Sequence, residues 1–487
     1  MISGKARLQS IQRNAASLLA GDVLNKVGTF AMYAMVARFT GKHEFGQLSL
    51  GLMLLYTFHV FAAAGLPKLI TREVAKAPER TKYFLYHGYL AALVPSAVAV
   101  LVMVWFPWAM GYEPETRRVI VLLASAILPY ALAVITEGVI RGREKMHLIA
   151  IANIPGNMGM LVAGYYVLSA GYGVPALAAV MIAARLSTLL FAHTLLRRAV
   201  GYAHAPVRLS VRDGWRLLRR SWVFLTSESV IIINASLNTL ILSKFATESD
   251  IALLSASYQI LQPVLMVYRN VGDSTLPTLA AARHQGTAMI AHIVLELIRL
   301  LLRLGIPAAV ALFIFAEDIL GLVYGNPAFR SGGFVLQILT AGLVINLVNP
   351  VLGQGLLAMD KEKTVLRIVM VDLAITLLIG TLLVAHYGLM GAAVAALITS
   401  VANVAQHWWY FRRQVVELPL LGEIVRLVPA TLALLAAVMV LPLPRLWSVM
   451  LGLVMYVVLA GFKLPVNRWR GRDAAAPRSE TGSVISR

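Results

Sequence analysis

EGVIRGREK at residues 137–145 and QGLLAMDKE at residues 354–362 are the two segments that decide the fold. Each segment joins the end of an apolar run to a short charged loop, and each is followed by a further apolar run that ends in a Tyr-Gly pair. The two Tyr-Gly pairs, at 172–173 and 387–388, lie 215 positions apart. The same order of features therefore occurs twice in one chain.

Further landmarks extend this repeat in both directions. The Arg pairs at 197–198 and 412–413 are again separated by 215 positions, and the stretch 38–49 recurs at 244–255 with an offset of 206. The chain thus predicts an internal duplication of a unit of roughly six helices, an organisation typical of transporters.

The composition indicates a multi-pass membrane protein. Of the 487 residues, 59% are hydrophobic and only 14% are charged, with a mean hydropathy of +0.76. Apolar stretches of about 20 residues, enough to cross a hydrocarbon core of ~30 Å, recur along the chain and predict about fourteen membrane helices. No stretch alternates as a barrel strand would, so the predicted fold class is all-α.

The repeat and the spans together predict the domain organisation. Helices 1–6 form an N-lobe over 15–200, and helices 7–12 form a C-lobe over 218–413. Two further helices occupy 422–463, and a basic tail follows at 464–487.

The distribution of positive charge predicts the orientation. The net charge is +20, and 31 of the 43 Lys and Arg residues fall on the side of the two termini, against 7 on the other side. By the positive-inside rule, the protein lies in a cell membrane with its basic side and both termini facing the cytoplasm. The excess charge is then a topology signal with some attraction for anionic lipid, and nucleic acid is not an expected partner.

Signatures of catalysis, cofactors and metals are missing from the sequence. The chain has no cysteine, its histidines lack metal-ligand spacing, and no phosphate-binding glycine loop or nucleophile elbow occurs. We therefore expect no enzyme activity, no cofactor and no metal site. Transport would draw on an ion gradient, the membrane potential or the gradient of the substrate.

Ionisable residues inside the N-lobe spans are the first candidates for function. Such a group costs at least ~2.5–3.5 kcal/mol at the bilayer centre, so it tends to face a cavity or a partner. Asp22, Asn25 and Lys26 share one turn of helix 1, where Asp22 and Lys26 could also neutralise each other. Arg185 lies mid-span in helix 6, either facing a polar cavity or pairing with an acid of its own bundle.

The C-lobe carries a second set of polar residues within its first two spans. Arg269 and Asp273 of helix 8 are spaced i, i+4, and Arg269 could instead snorkel to the head groups. Glu228 of helix 7 is a candidate acid, for which an interfacial hydrogen bond is the alternative. The remaining candidates are amides of helices 7 and 8: Asn234, Asn238 and Gln262.

These features together resemble a known family. The resemblance rests on the acid and cation in helix 1, the FGQLS segment at 45–49, the AGLP segment at 64–67 and the two extra C-terminal helices. In these features the chain resembles the Wzx-type polysaccharide flippases of the multidrug/oligosaccharidyl-lipid/polysaccharide exporter superfamily. The resemblance implies a V-shaped, two-lobed bundle that moves a polyprenyl-diphosphate-linked oligosaccharide between leaflets by alternating access. Its implied partners are membrane lipid, the lipid-linked glycan and glycan-assembly membrane proteins.

The resemblance also implies roles for residues. In related lipid II flippases basic residues of helices 1 and 8 engage the diphosphate, and by position these are Lys26 and Arg269. We expect Lys26, Arg185 and Arg269 to supply cations, because a diphosphate entering low dielectric needs charge-assisted donors. The amides would bind sugar hydroxyls: Asn25, Asn234, Asn238 and Gln262. The acids would balance charge or carry a coupled proton: Asp22, Glu228 and Asp273.

Two other classes of protein remain open. A sodium- or proton-coupled drug or metabolite antiporter of the same superfamily would share the architecture. An integral-membrane glycan polymerase or ligase would use the same lipid-linked substrates but would need a sizeable outward-facing catalytic loop, which the short loops of this chain do not offer.

Overall fold

The computed structural model describes residues 26–200, 207–440 and 444–460, apart from a few side chains within those ranges. Asp22, Asn25 and the tail at 464–487 lie outside the described residues. Within the described ranges every regular element is a helix, so the all-α prediction is confirmed.

The helices are numbered in chain order, and those before residue 207 form the N-terminal half. Its helices are α1 (26–39), α2 (Lys42–Ala63), α3 (Leu66–Lys76), α4 (Thr81–Met110), α5 (Pro114–Ala124), α6 (Ile127–Gly142), α7 (His147–Ser169) and α8 (Gly173–Val200).

The C-terminal half runs from residue 207 to residue 414, and two more helices follow it. The helices of this part are α9 (Val211–Phe245), α10 (Glu248–Ala282), α11 (Thr287–Ile314), α12 (Ala316–Tyr324), α13 (Gly333–Asn346), α14 (Asn349–Ala358), α15 (Glu362–Ile375), α16 (Thr381–Gln414), α17 (Leu420–Val440) and α18 (Arg445–Leu459).

Ten helical stretches of the described residues are long and apolar enough to cross a membrane, against fourteen spans expected from the sequence. The first predicted span, 15–39, is described only from residue 26. Two predicted spans form one stretch, Glu362–Gln414, which is broken at Gly388 by a φ of 52° that side chains other than glycine rarely adopt. The last two are the shorter apolar helices Val425–Met439 and Trp447–Leu459. These features account for the difference.

The two charged loops that reveal the repeat have the same backbone turn. Glu144 and Asp360 both adopt a left-handed conformation, with φ of 56° and 55°. The next residue donates back across the turn in each copy, from Lys145 N to Ile140 O at 3.2 Å and from Lys361 N to Leu356 O at 3.0 Å. This hydrogen bond closes the helix C-terminus, so the duplication extends to the geometry of the turn.

The helix ends define two ends of the bundle. The "basic end" contains the connections near residues 77–81, 143–147, 207–210, 283–287 and 359–361, and the "opposite end" contains those near 40–41, 111–113, 170–172, 246–247 and 325–332.

At the opposite end the two halves are packed tightly together. Gly46 of α2 lies so close to α10 that a Cβ there would come within 1.8 Å of the Glu248 carbonyl oxygen. Beside it the Phe45 ring meets the rings of Tyr324 and Phe329 edge to face, with centroid separations of 5.5 and 5.2 Å. All three aromatic side chains are fully buried, which indicates a dry seal.

Polar contacts surround this apolar seal. The Arg38 guanidinium donates to the carbonyl oxygens of Leu322 and Val323 at 3.4 and 3.3 Å, at the C-terminal end of α12. The hydroxyls of Tyr112 and Ser243 lie 2.6 Å apart, again across the two halves. The structure is therefore closed at the opposite end.

Helix α9 contacts both halves of the molecule. Its first part lies on the N-terminal half, where Arg220 pairs with Glu73 of α3 at 3.2 Å and Leu217 joins the buried cluster around α3 and α4. Its second part packs in the C-terminal half, where Leu242 is fully buried. Between them Ser236 meets the hydroxyl of Thr57 on α2 at 2.8 Å. One continuous helix thus bridges the two halves.

An ion pair attaches α17 to the C-terminal half. Arg299 of α11 binds both oxygens of Glu423 at 2.6 and 2.7 Å, and Arg426 binds the same carboxylate at 2.9 Å. Glu423 is buried and precedes the apolar stretch of α17, and the hydrogen bonds from Arg299 hold its pKa below the usual value.

We predict that Gly46→Ala opens the opposite end, because the added methyl group cannot share space with the Glu248 carbonyl. The chain has no native cysteine, so spin labels on Arg118→Cys and Ser331→Cys, exposed sites on the two halves, would report the separation. The label distances should lengthen. Gly159→Ala is the matched control, since a Cβ at this helical glycine meets nothing within 4 Å. Unchanged distances in Gly46→Ala would contradict the seal.

We also predict that Glu423→Gln lowers the free energy of unfolding by about 2 kcal/mol, the scale of a charge-assisted hydrogen bond. Folding lowers the pKa of the Glu423 carboxyl below its ordinary value of 4.5. The loss of stability should therefore be complete at pH values above 4.5 and should shrink as the pH falls below that value.

Glu417→Gln serves as the control for that comparison. Glu417 pairs with Arg412 at 2.6 Å, but both side chains are more than half exposed, and exposed pairs contribute about 0–1 kcal/mol. Melting curves that shift equally in the two variants would argue against a structural role for Glu423.

Candidate functional site

Seven of the ten site residues predicted from the sequence are described in full. Asp22 and Asn25 precede the described residues, and the side chain of Asp273 lies outside the description. Lys26 begins the described chain and is exposed, and it interacts with a neighbouring group.

Arg185 lies inside the N-terminal half in an aromatic environment. Its guanidinium is 4.7 Å from the centre of the Tyr130 ring, a cation–π contact, and Tyr56 of α2 lies beside it. Glu137 of α6 adds electrostatic attraction, although its carboxylate also binds Arg141 at 3.2 Å. The structure therefore gives Arg185 partners within its own half, with the side chain still partly exposed.

The surroundings of Arg185 retain unused hydrogen-bonding capacity. The His59 ring lies against Tyr130 at a tilt of 57°, with ring centroids 4.4 Å apart, and its buried Nδ1 has no hydrogen-bond partner among the described residues. An arginine beside two phenols and an imidazole can bind an anionic or hydroxyl-rich group, since each of these side chains offers a directed hydrogen bond.

Arg269 of α10 is in a different situation. Its side chain is exposed, and no described residue forms an ion pair or hydrogen bond with it. Gln262 lies two turns earlier on the same helix and is partly buried. Arg185 is on α8 of the N-terminal half and Arg269 is on α10 of the C-terminal half, and no described residue contacts both guanidinium groups.

Glu228 and Asn238 both have partners from other helices. Glu228 pairs with Lys68 of α3 at 3.2 Å, which matches the alternative of an acid held by a local contact. Asn238 is buried and donates from Nδ2 to the Ala392 carbonyl oxygen at 3.1 Å, inside the packing of α9 against α16. Asn234, one turn earlier, is partly exposed. Of these three, Asn234 is the one positioned for an external ligand.

A buried polar network in the C-terminal half was not predicted. Asp372 of α15 is buried and accepts hydrogen bonds from the side-chain amides of Asn403 and Gln406, the latter at 3.1 Å. Asn403 in turn accepts from Asn349, whose own Oδ1 is buried without a partner among the described residues. The sequence signal was the presence of several amides in apolar spans, but nothing in it paired them with Asp372.

Two cavities lie away from the predicted site residues. One, of about 360 Å³, is an apolar groove between α2 and α4 lined by Phe58 and Pro95. Another, of about 570 Å³, lies at the basic end, between the start of α4 and the start of α9, and is lined by Arg80 and Arg216. At the opposite end residues 316–332 form α12 and a short 3-10 helix rather than an extramembrane domain.

Solved structures share this architecture. A lipid II flippase MurJ in an inward closed conformation matches with a TM-score of 0.75 and 14% identity, over 92% of this chain and 97% of that one. A multidrug resistance transporter of the MATE family in an inward-facing conformation matches with a TM-score of 0.65 and 15% identity, over 80% of this chain and 94% of that one. At this identity the likeness concerns the fold.

Sequence comparison extends the likeness to curated proteins. The chain is 21% identical to the probable low-salt glycan biosynthesis flippase Agl15 of Haloferax volcanii, over 82% of this chain and 83% of the relative. It is 26% identical to the probable lipid II flippase MurJ of Rhizobium tropici, over 72% and 70% of the two chains. The family model described as polysaccharide biosynthesis protein matches residues 11–283, more than half of the chain. This multi-pass membrane protein therefore belongs to the polysaccharide biosynthesis protein family.

Proposed function

We propose that the protein is a flippase that moves a polyprenyl-diphosphate-linked oligosaccharide from the inner to the outer leaflet by alternating access. The basic end would face the cytoplasm of the cell membrane, with both termini on that side. The named activities of the two curated relatives and the family membership support this class of function.

The observation that carries the proposal is that no described side chain forms an ion pair with Arg269. A cation within a membrane span is costly unless an opposite charge or a polar cavity stabilises it. No described side chain supplies that charge to Arg269, and the side chain of Asp273, one turn further along α10, lies outside the description. We take an anionic ligand as the partner of Arg269 in the transport cycle. A lipid diphosphate offers several oxygens to a guanidinium, which binds phosphate through paired donors.

The closed opposite end is consistent with a form of an alternating-access cycle that takes up substrate from the basic side. With that end closed, a substrate can reach the interior only from the basic end or laterally from the bilayer on that side. A glycan needs hydrogen-bond partners in such an interior, and the side chains of Asn234 and Gln262 retain exposure that could serve it. The lipid tail would remain among the acyl chains, whose apolar character it shares.

Within the same proposal Lys26, Arg185 and Arg269 bind the diphosphate and nearby hydroxyls in sequence as the substrate moves. Asp22 and Asp273 would balance these charges or carry a coupled proton. Glu228 would contribute through Lys68, whose ammonium group it holds at α3. Glycan-assembly membrane proteins would deliver the substrate and receive the product.

We predict that Arg269→Gln lowers flipping of a fluorescent lipid-linked oligosaccharide in reconstituted vesicles by at least about tenfold. The loss of one charge-assisted contact is about 1.5–3 kcal/mol, and every 1.4 kcal/mol is a factor of ten. Arg185→Gln and Lys26→Gln should also reduce flipping. Arg269→Lys should restore part of the rate, because it keeps the charge but loses the paired donors.

Lys363→Gln is the matched control, since this exposed residue lies at the basic end outside the proposed path. Its flipping rate should equal that of the wild type at equal protein density. Full activity in all three site variants would exclude the proposed diphosphate path.

A cation-coupled antiporter is the second candidate, and the Asp372 network favours it. A buried carboxylate held only by neutral amides is the kind of group that binds a proton or a sodium ion. Thermal-shift measurements separate the two functions. Stabilisation by lipid-linked diphosphates supports the flippase, whereas stabilisation by organic cations without any response to the diphosphates supports the antiporter.

A further inference from the structure

Three metal-ligating side chains converge at the opposite end, where the sequence had indicated no metal site. His43 is at the start of α2, Glu113 directly precedes α5, and Glu248 is the first residue of α10. One ligand atom from each lies within 4.8 Å of the other two, and His43 Nε2 is 3.8 Å from a Glu113 oxygen. The residues are far apart in the sequence, so only the fold brings them together.

The geometry suits a small divalent cation. Zinc binds imidazole nitrogen and carboxylate oxygen at about 2.0–2.2 Å in a tetrahedral arrangement, which puts ligand atoms roughly 3.3–3.6 Å apart. The observed separations reach those values by small side-chain rotations, and Glu113, whose side chain is 62% exposed, has room to make them. Three protein ligands leave the fourth position to water.

Neighbouring residues contact two of the three ligands. The buried Gln47 places its amide nitrogen 3.1 Å from His43 Nε2. Because an amide nitrogen can only donate, Nε2 accepts this hydrogen bond, and a metal at Nε2 would displace Gln47 to take the single lone pair of that nitrogen. The Thr116 hydroxyl donates to one Glu248 oxygen at 2.9 Å, which orients the carboxylate as outer-shell partners of metal ligands do.

The cluster belongs to both halves of the molecule. His43 and Glu113 are in the N-terminal half, whereas Glu248 begins a helix of the C-terminal half beside the Gly46 contact. Separation of the halves at the opposite end would carry Glu248 away from the other two ligands. A metal held by all three would therefore bind the closed form and oppose opening.

We propose that His43, Glu113 and Glu248 form a divalent-cation site, best suited to zinc, that holds the two halves together at the opposite end. Zinc binding shifts the population toward the closed form, since a ligand stabilises the state that binds it better. Neither the binding of zinc nor its effect on closure rests on the proposed function.

The binding test uses the full chain in lipid nanodiscs with Zn²⁺ as the probe and Mg²⁺ as the comparison. Calorimetry should show one Zn²⁺ site in the wild type, and Co²⁺ should give the intense visible absorption of a tetrahedral site. His43→Ala and Glu248→Gln should each weaken Zn²⁺ binding by more than about tenfold, because each removes a ligand. His386→Ala and Glu115→Gln, exposed residues of the same end, are the matched controls and should bind as the wild type does.

The conformational test uses spin labels on Arg118→Cys and Ser331→Cys. Zn²⁺ should increase the short-distance population in the otherwise wild-type protein and leave it unchanged in His43→Ala. Equal Zn²⁺ affinity in the site variants and the wild type would mean an adventitious ion only and would overturn the proposal. Binding without a change in distance would overturn the role in closure.

These readouts are independent of transport. A protein that binds Zn²⁺ and closes, but does not flip lipid-linked glycan with or without zinc, would refute the proposed function and leave the metal site intact. A protein that flips the glycan but binds no Zn²⁺ would refute the metal site and leave the proposed function intact.

Discussion

The contact between Gly46 of α2 and the Glu248 carbonyl of α10 is the constraint on which the rest of the structure depends. Two helices can approach this closely only where one of them has no side chain, because packed interiors have no room for an extra methyl group. That approach brings Phe45 against Tyr324 and Phe329 and lets Arg38 reach the end of α12. It also brings Glu248 to His43. The closed state and the approach of His43, Glu113 and Glu248 to one another thus share one steric origin.

The sequence predicted the features that repeat at short range or follow composition. Apolar runs of sufficient length identify spans because hydrocarbon forces backbone groups into helices, and the loops at 137–145 and 354–362 identified the duplication through local chemistry. The contacts between distant residues could not be read in this way. Nothing near Glu228 indicates Lys68 as its partner, and nothing near Asn238 indicates the Ala392 carbonyl. These pairings depend on how helices pack, which a single sequence does not encode locally.

The two arginines show the same limit within the candidate site. Arg185 and Arg269 looked alike in the sequence, as cations inside apolar spans. In the structure Arg185 is held by Tyr130 and Tyr56, whereas Arg269 has no partner among the described residues. A partly buried cation with aromatic neighbours can serve packing and binding together, whereas an exposed one in a span can bind a ligand or extend to the head groups. The sequence alone does not show this difference in surroundings.

Helix α9 has a mechanical consequence. Arg220 attaches α9 to the N-terminal half and the buried Leu242 attaches it to the C-terminal half, so the helix is held near both of its ends. Two halves joined by such a helix cannot slide freely past each other. They can only rotate about an axis near one of the attachments, or move as the helix bends. Between the two attachments the apolar sequence of α9 is interrupted by three polar residues, Ser227, Glu228 and Ser229. The stiffness of that short polar stretch would then govern how fast the whole bundle can change shape.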